Sequence, residues 1–296
     1  MCTRWSDCQP LLYATIPTGE RRESWTSSSV EASVFCSIFI ILGLISYVSV
    51  LPRSRNVKRR VTAALRTQLL SMQWRDVLFA HWRVEPRVIR QHLPAGLRLA
   101  TYDGSGWLGI VGFEMTDIRP TGLPIGRTFP ELNLRTYVTD PDTSASGVYF
   151  FNLDADDWLG VRLAQSLFKL PYYSAEMQIT RHDHRVSLMS RRTESDIPPA
   201  RFDATYSPLT TPTEVDPNSL EAFLVENYRF YTEGDQIYVG TIQHEPWLLA
   251  KATADIRANS LFSASGFAAP DSEPVIHYSP HCTVTAGMIR SVPSHK

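Results

Sequence analysis

The feature that most constrains this chain is the stretch 131–138, where apolar or small side chains alternate with polar ones. A period of two places successive side chains on opposite faces of a β-strand. One face carries Leu132, Leu134, Thr136 and Val138, and the other carries Glu131, Asn133, Arg135 and Tyr137. A strand covered on both sides is ordinarily apolar throughout, and a surface strand rarely aligns four different hydrogen-bonding groups. The sequence therefore predicts that the polar face lines a cavity.

This strand is predicted to form a hairpin that leads into a helix. Turn-forming residues at 140–144 and Gly147 precede a second strand, 148–153, which is rich in aromatic and β-branched residues. Apolar residues then recur at helical spacing, which predicts a helix from Asp157 to Lys169. Pro171 ends the helix, and Tyr172 and Tyr173 lead into a further strand. This block is the predicted centre of the fold.

Strand-like segments dominate the remainder of the chain beyond residue 72. They occur at 74–82, 97–99, 106–118, 175–180, 185–190, 200–206 and 236–243, with short helical patterns at 86–92 and 219–228. Many strands with few helices predict an α+β fold, in which an antiparallel β-barrel-like, highly curved sheet has helices packed against it. The stretch 119–129, rich in Pro and Gly, is predicted to be a loop that forms a rim or lid.

The N-terminal part of the chain has a different composition. Residues 1–31 are polar and predicted to be disordered, residues 32–51 are uncharged and long enough to form a transmembrane helix, and residues 52–71 form a basic linker. The excess of Lys and Arg after the apolar run predicts that the following domain, 72–290, faces the cytoplasm. The alternative interpretation is that translation starts at Met72, which makes the protein cytoplasmic.

The charge distribution argues against a nucleic-acid partner. Residues 1–71 hold nine Lys or Arg against four Asp or Glu, whereas residues 72–296 hold 20 against 26. A domain with an acidic excess lacks the concentrated basic surface that nucleic-acid binders need. Arg181, Arg185, Arg191 and Arg192 form a basic patch, which is interpreted as a solvated face.

No metal or cofactor is predicted. The four cysteines, Cys2, Cys8, Cys36 and Cys282, give neither a disulfide framework nor a CxxC metal site. His244 is followed by Glu245 and Pro246 and has no second histidine at the spacing of a zinc-binding helix. The chain also contains no GxSxG motif and no phosphate-binding glycine-rich loop.

Seven blocks of sequence resemble a known family. They are LFAHW (78–82), LPAGL (93–97), PELNLRTYV (130–138), GVYFFNLDAD (147–156), LPYYSAEM (170–177), FLVENYRFYT (223–232) and HEPWLLAKA (244–252). In this order they are similar to the YqjF-like family of uncharacterised proteins, which is placed in the acetoacetate-decarboxylase-like superfamily. The resemblance runs from Trp74 to about Thr285, roughly three quarters of the chain. It implies a fold and no settled activity.

The polar face of the first strand supplies the strongest candidate site. Glu131 and Arg135 lie about 13 Å apart along an extended strand, so we do not expect them to pair directly. Inside a cavity, Arg135 suits a carboxylate or phosphate, because its planar fork can bind two oxygens at once. The alternative is a structural pair between an arginine and a carboxylate, or an exposed hairpin edge.

The resemblance implies that Glu131 is the counterpart of an acidic residue in the active cavity of acetoacetate-decarboxylase-like proteins. Their Schiff-base lysine follows a proline that ends the corresponding helix, and here that segment, 170–173, holds Tyr172 and Tyr173 instead. A tyrosine cannot form the imine. The chain has four lysines, Lys58, Lys169, Lys251 and Lys296. Lys169 is expected to lie at the helix end, where its charge complements the dipole, so decarboxylation is not carried over.

The sequence thus predicts a pocket that binds a small organic acid or carbonyl compound. The predicted catalytic residues are Glu131, Arg135 and Tyr172, and the predicted ligand-binding residues are Asn133, Tyr137 and Tyr173. An enzyme of lyase or hydrolase type is one hypothesis. The alternative is a non-catalytic module, tethered to the membrane through residues 32–51, that binds an apolar ligand or a protein partner.

Overall fold

A computed structural model describes residues 68–124 and 126–292, which are built mainly of β-strands. The strands are β1 (Leu70–Val84), β2 (Arg98–Leu99), β3 (Gly106–Pro120), β4 (Arg127–Thr139), β5 (Ser146–Ala155), β6 (Tyr172–His182), β7 (Arg185–Arg192), β8 (Arg201–Pro208), β9 (Thr213–Glu214), β10 (Arg229–Glu233), β11 (Ile237–His244), β12 (Leu248–Asn259), β13 (Val275–Ala286) and β14 (Arg290–Ser291). The helices are α1 (Pro86–Arg90), α2 (Trp158–Phe168), α3 (Leu220–Val225) and α4 (Leu261–Ala264).

The predicted disordered segment 1–31, the predicted membrane span 32–51 and most of the linker 52–71 lie outside the described residues. In the described part of the chain, none of the helices has the length and hydrophobicity needed to cross a bilayer. The membrane anchor and the orientation of the domain therefore stay predictions.

The strands form one curved sheet in the order β14-β11-β10-β5-β6-β7-β8-β12-β13-β1-β3-β4-β2, and β9 lies off this path and pairs with β12. Two further pairings, β4 with β5 and β11 with β13, join strands that are distant in this order, so the sheet turns back on itself. Most neighbours are antiparallel, but β5 runs parallel to both β6 and β10. The predicted strand-rich, curved α+β architecture is confirmed.

Strand β4 separates two hydrophobic cores. Leu132 and Leu134 are fully buried in one core, which also contains Leu188 and Phe202. The opposite side chains of β4 point towards the other core, where Phe79 is buried. The alternation in the sequence therefore has a structural cause, because each face of this strand is covered by a different set of side chains.

An irregularity in β1 changes which of its side chains face each core. Asp76 has a φ of 52°, and the pairing of β1 with β3 shifts between Arg75 and Leu78. Trp74 before this bulge and Phe79 after it pack in the same core, although they are five positions apart and an odd offset would place them on opposite faces of a regular strand. The extra residue thus inverts the alternation of the strand.

The connections confirm most of the predicted turns and contradict one. Asp103 and Gly104 have φ values of 47° and 72°, as a type I′ turn requires, and this turn closes the antiparallel bridge between Tyr102 and Ser105. The predicted loop at 119–129 was wrong, because β3 continues to Pro120 and β4 already begins at Arg127. The two strands instead form a hairpin whose connection is short, so a long lid is not built here.

Candidate functional site

A cavity of about 120 Å³ lies beside the polar face of β4. Glu131, Asn133 and Arg135 line one wall. Tyr172, at the start of β6, lines the cavity next to Glu131. The remaining wall is mainly apolar and includes Trp74, Phe79, Met115, Phe150, Leu153, Phe168, Phe230 and Trp247. The structure therefore brings four of the six predicted site residues together at one cavity.

Glu131 is a buried carboxyl group held by two hydrogen-bond donors. The Tyr172 hydroxyl donates to Oε2 at 2.7 Å, and Asn133 Nδ2 donates to Oε1 at 3.4 Å. Burial raises the pKa of Glu131 from 4.5 to about 7, although the bonds from Tyr172 and Asn133 and the charge of Arg135 act in the opposite direction. A carboxyl group with this pKa can both accept and donate a proton near neutral pH.

Arg135 is buried, and two of its guanidinium nitrogens have no hydrogen-bond partner among the described residues. Only 7% of the residue is exposed, and its Nε and Nη2 atoms make no hydrogen bond in the described part of the chain. The guanidinium lies over the ring of Phe79, with its carbon 5.8 Å from the ring centroid. Burial lowers the pKa of Arg135. The alternatives of a structural ion pair and an exposed edge do not describe this side chain.

Tyr137 lies next to the cavity wall and bonds to a histidine. Its hydroxyl is 2.8 Å from Nε2 of His81, and its ring packs on Phe223 at a centroid distance of 5.0 Å. Burial is the largest cause that lowers the pKa of His81, and the charge of Arg135 adds to it, so the imidazole is neutral. Gly109 makes the contact possible, because a Cβ there would lie 2.7 Å from His81 Cδ2.

Tyr173 faces away from the cavity. The guanidinium carbon of Arg192 lies 4.2 Å from the centroid of its ring, and Arg192 bonds through Nη2 to Asp154 Oδ1 at 2.7 Å. Arg192 and Asp154 are both buried, so the prediction that Arg192 belongs to a solvated patch was wrong. Its neighbour Arg191 is exposed and pairs with Glu176, as expected for that face.

The lysines of the described residues do not reach the cavity. Lys169 is exposed at the C-terminal end of α2 with a φ of 54°, and Lys251 is exposed on β12. Neither side chain lines the cavity wall. An imine with a bound carbonyl compound therefore has no lysine at this wall. Within residues 68–124 and 126–292, no three His, Cys, Asp or Glu side chains are grouped so that they could hold a metal ion.

Sequence analysis missed the two tryptophans of the site. Trp74 and Trp247 both line the cavity, their ring centroids are 5.9 Å apart, and the Nε1 atom of each is buried without a hydrogen-bond partner. Trp74 could not be placed from periodicity, because the bulge at Asp76 breaks the period of β1. Trp247 lies just before β12, outside any regular pattern.

Solved structures with the same fold are acetoacetate-decarboxylase-like. The enduracididine biosynthesis enzyme MppR complexed with pyruvate has a TM-score of 0.55 and 11% identity, over 78% of this chain and 92% of that chain. The acetoacetate decarboxylase from Legionella pneumophila subsp. pneumophila str. Philadelphia 1 also has a TM-score of 0.55, with 10% identity over 77% of this chain and 88% of that chain. At these identities the likeness shows the fold alone.

Sequence comparison shows the family of this chain as well as its fold. The uncharacterized protein YqjF of Bacillus subtilis (strain 168) is 40% identical over 214 residues, which are 71% of this chain and 87% of the relative. The model of the DUF2071 family, described as an uncharacterized conserved protein, matches residues 71–283. The match includes Glu131, Asn133, Arg135 and Tyr172, the polar residues proposed for the cavity wall. The chain therefore belongs to the DUF2071 family, and its domain has an acetoacetate-decarboxylase-like fold.

Proposed function

We propose that the cavity binds a small organic acid or carbonyl compound and that Arg135 anchors it. The observation that carries the proposal is the buried guanidinium, which lines a cavity and has no acceptor for Nε and Nη2. A buried charge without a partner is costly, whereas a bound carboxylate supplies both charge and two acceptors. The carboxyl of Glu131 does not satisfy this need, because the two groups form no ion pair in the described part of the chain.

Glu131 is the proposed acid and base. Its pKa of about 7 lets it exchange a proton with a bound ligand near neutral pH. Tyr172 orients the carboxyl through its 2.7 Å hydrogen bond and can donate to an oxygen of the ligand when Glu131 releases it. The reaction class that fits is a proton transfer at a carbon or oxygen next to a carboxylate or carbonyl, as in lyases and hydrolases.

The solved relatives support the ligand class and not the chemistry. MppR is described as complexed with pyruvate, which is a small acid that also carries a carbonyl group. The decarboxylation named for the Legionella enzyme is not proposed for this chain. Tyrosine stands at the position where the resemblance to acetoacetate-decarboxylase-like proteins implies their Schiff-base lysine. The proposal therefore rests on Arg135 and Glu131 rather than on the names of the relatives.

A second candidate is a non-catalytic binding module. The apolar and aromatic wall favours it, because such a surface retains an apolar ligand without any chemistry. In this hypothesis the segment 32–51 tethers the module to a membrane, and the ligand arrives from or leaves for that membrane.

Mass spectrometry of the protein purified without tags from its own host separates the two candidates. Native and denaturing spectra are recorded in parallel, and the difference gives the mass of a non-covalent ligand. A small acid that co-purifies supports the first proposal. An apolar lipid-like ligand together with an intact chain that requires detergent supports the second.

Calorimetric titration with butyrate then tests the anchor. Arg135→Met is expected to weaken binding by at least about 100-fold, since a charge-assisted pair inside a buried site is lost. Arg191→Met is the matched control, because Arg191 is an exposed arginine on β7 and its pair with Glu176 lies on the surface. Equal affinities of the two variants would rule out Arg135 as the anchor.

A further inference from the structure

We propose that the ligand is a short hydroxy-monocarboxylic acid rather than a simple fatty acid or an oxo acid. This inference rests on the proposed function and follows from the polar atoms around the cavity that have no partner. Arg135 Nε and Nη2, Trp74 Nε1 and Trp247 Nε1 are unpaired donors, and Asn133 Oδ1 is an unpaired acceptor. All four residues line the cavity. A buried polar group without a partner is destabilising, so a ligand that completes these bonds is favoured.

The donors define the charged end of the ligand. Nε and Nη2 form one edge of the guanidinium fork, and that edge matches the two oxygens of a carboxylate. The two indole N–H groups can only donate, so they also favour an oxygen-bearing ligand. A monoanion is sufficient, because Arg135 is the one Lys or Arg among the described residues that line the cavity. The other basic side chain of the lining is the imidazole of His244, which bonds through Nδ1 to the Glu245 carbonyl oxygen.

The acceptor defines the hydroxyl. Asn133 Nδ2 is directed at Glu131 Oε1, which leaves Asn133 Oδ1 to receive a proton from a bound molecule. A fatty acid or a 2-oxo acid in its keto form has no donor to offer. An amino group has donors, but its positive charge would be poorly solvated and repelled by the guanidinium of Arg135, and Glu131 offsets this only where its carboxyl, with a pKa of about 7, is ionised. A hydroxyl group donates without adding charge.

The size and lining of the cavity limit the rest of the molecule. The cavity volume is about 120 Å³. An engineered apolar cavity of about 150 Å³ holds benzene, so a ligand of roughly six to eight non-hydrogen atoms fits. Phe79, Phe150 and Phe168 also line the cavity, which favours a short alkyl group over a second polar one. Asn133 and Arg135 are two positions apart on β4, so their Cα atoms are about 7 Å apart along the strand. A ligand that reaches both side chains therefore carries its hydroxyl close to its carboxylate.

Four acids of matched size test the inference by calorimetry on the full-length chain: butyrate, 2-oxobutyrate and the two enantiomers of 2-hydroxybutyrate. One enantiomer of the hydroxy acid is expected to bind about tenfold more tightly than butyrate, since it gains a hydrogen bond to a buried acceptor. A hydroxyl buried without a partner would instead weaken binding, so the sign of the difference is informative.

The outcomes separate this inference from the proposed function. If butyrate and 2-oxobutyrate bind at least as tightly as both hydroxy acids, the hydroxyl assignment is overturned and Arg135 remains the anchor. If none of the acids binds, the proposed function itself fails. In Asn133→Leu the preference for the hydroxy acid is expected to disappear while butyrate still binds. Should this variant not fold, the comparison of ligands on the unmodified chain decides the question.

Discussion

The hydroxyl of Tyr172 donates a 2.7 Å hydrogen bond to Oε2 of Glu131, and both groups lie in the wall of the cavity. This bond favours the charged carboxylate and so opposes the effect of burial on the pKa of Glu131. The tyrosine thereby keeps the pKa of the Glu131 carboxyl near 7, whereas burial alone would raise that pKa further.

Tyr172→Phe is therefore expected to raise the pKa of Glu131 above its value of about 7, by roughly one pKa unit. The pKa is measured by titrating the carboxyl carbon of Glu131 in a ¹³C NMR experiment. Tyr173→Phe is the matched control, because the neighbouring ring faces Arg192 instead. If the pKa of Glu131 is the same in both variants, the hydrogen bond does not control it.

Glu131→Gln is expected to change how stability depends on pH. The pKa of Glu131 is raised from 4.5 to about 7 on folding, so the folded chain keeps a proton that the unfolded chain releases between these values. This contribution to stability is complete below about pH 4.5 and is lost as the pH rises to about 7. The variant lacks it and should gain stability relative to the parent by about 3 kcal/mol between about pH 4 and pH 8.

Urea denaturation of both proteins across this range measures the difference. Burial also raises the pKa of Asp154, from 3.8 to about 6, and this carboxyl titrates in the same direction. Because Asp154 is present in both proteins, its contribution cancels in the comparison. A difference that is constant with pH would contradict the raised pKa of Glu131.

Two adjacent arginines on β7 should respond very differently to the same substitution. Arg192→Met leaves Asp154 as a buried, unpaired carboxylate and removes the group that lies over Tyr173, so it is expected to cost about 3 to 5 kcal/mol. Arg191→Met breaks an exposed pair with Glu176 and is expected to cost less than about 1 kcal/mol. Chemical denaturation compares them, and equal losses would argue against a buried pair.

Gly109→Ala is expected to destabilise the protein by about 1 to 3 kcal/mol, because the new methyl group would collide with the imidazole of His81. The clash should be smaller when the imidazole is absent. Urea unfolding of Gly109→Ala, His81→Ala and the double variant therefore completes a thermodynamic cycle with the parent. Strict additivity of the two single effects would show that the glycine is not required by the histidine.

The cavity wall on β4 could be predicted from sequence because alternation is a local property. The prediction for Glu131, Asn133 and Arg135 required only that their segment form a strand with one face towards the protein interior, and β4 meets both conditions. Tyr173 could have been separated from Tyr172 by the same argument, since neighbours on a strand point in opposite directions. Tyr137 is different, because its side chain meets His81, whose position depends on a glycine in a third strand.

The curved sheet was predictable and its pairing order was not. A count of strands and helices indicates the class of fold, but β5 lies beside β4, β6 and β10, and the last two pairings are parallel. These contacts depend on side chains that are distant in the chain. The bulge at Asp76 is visible in the sequence only as an interruption of the alternation of β1. It nevertheless determines that Trp74 faces the cavity.

Strand β4 belongs to both cores at once, and this has a consequence for the motions of the protein. Separating β4 from its neighbours would expose Leu132 and Leu134 on one side and the cavity wall on the other. The amides of β4 should therefore exchange with solvent only through openings that approach global unfolding. The side chains proposed to meet the ligand are thus carried by a slowly exchanging segment.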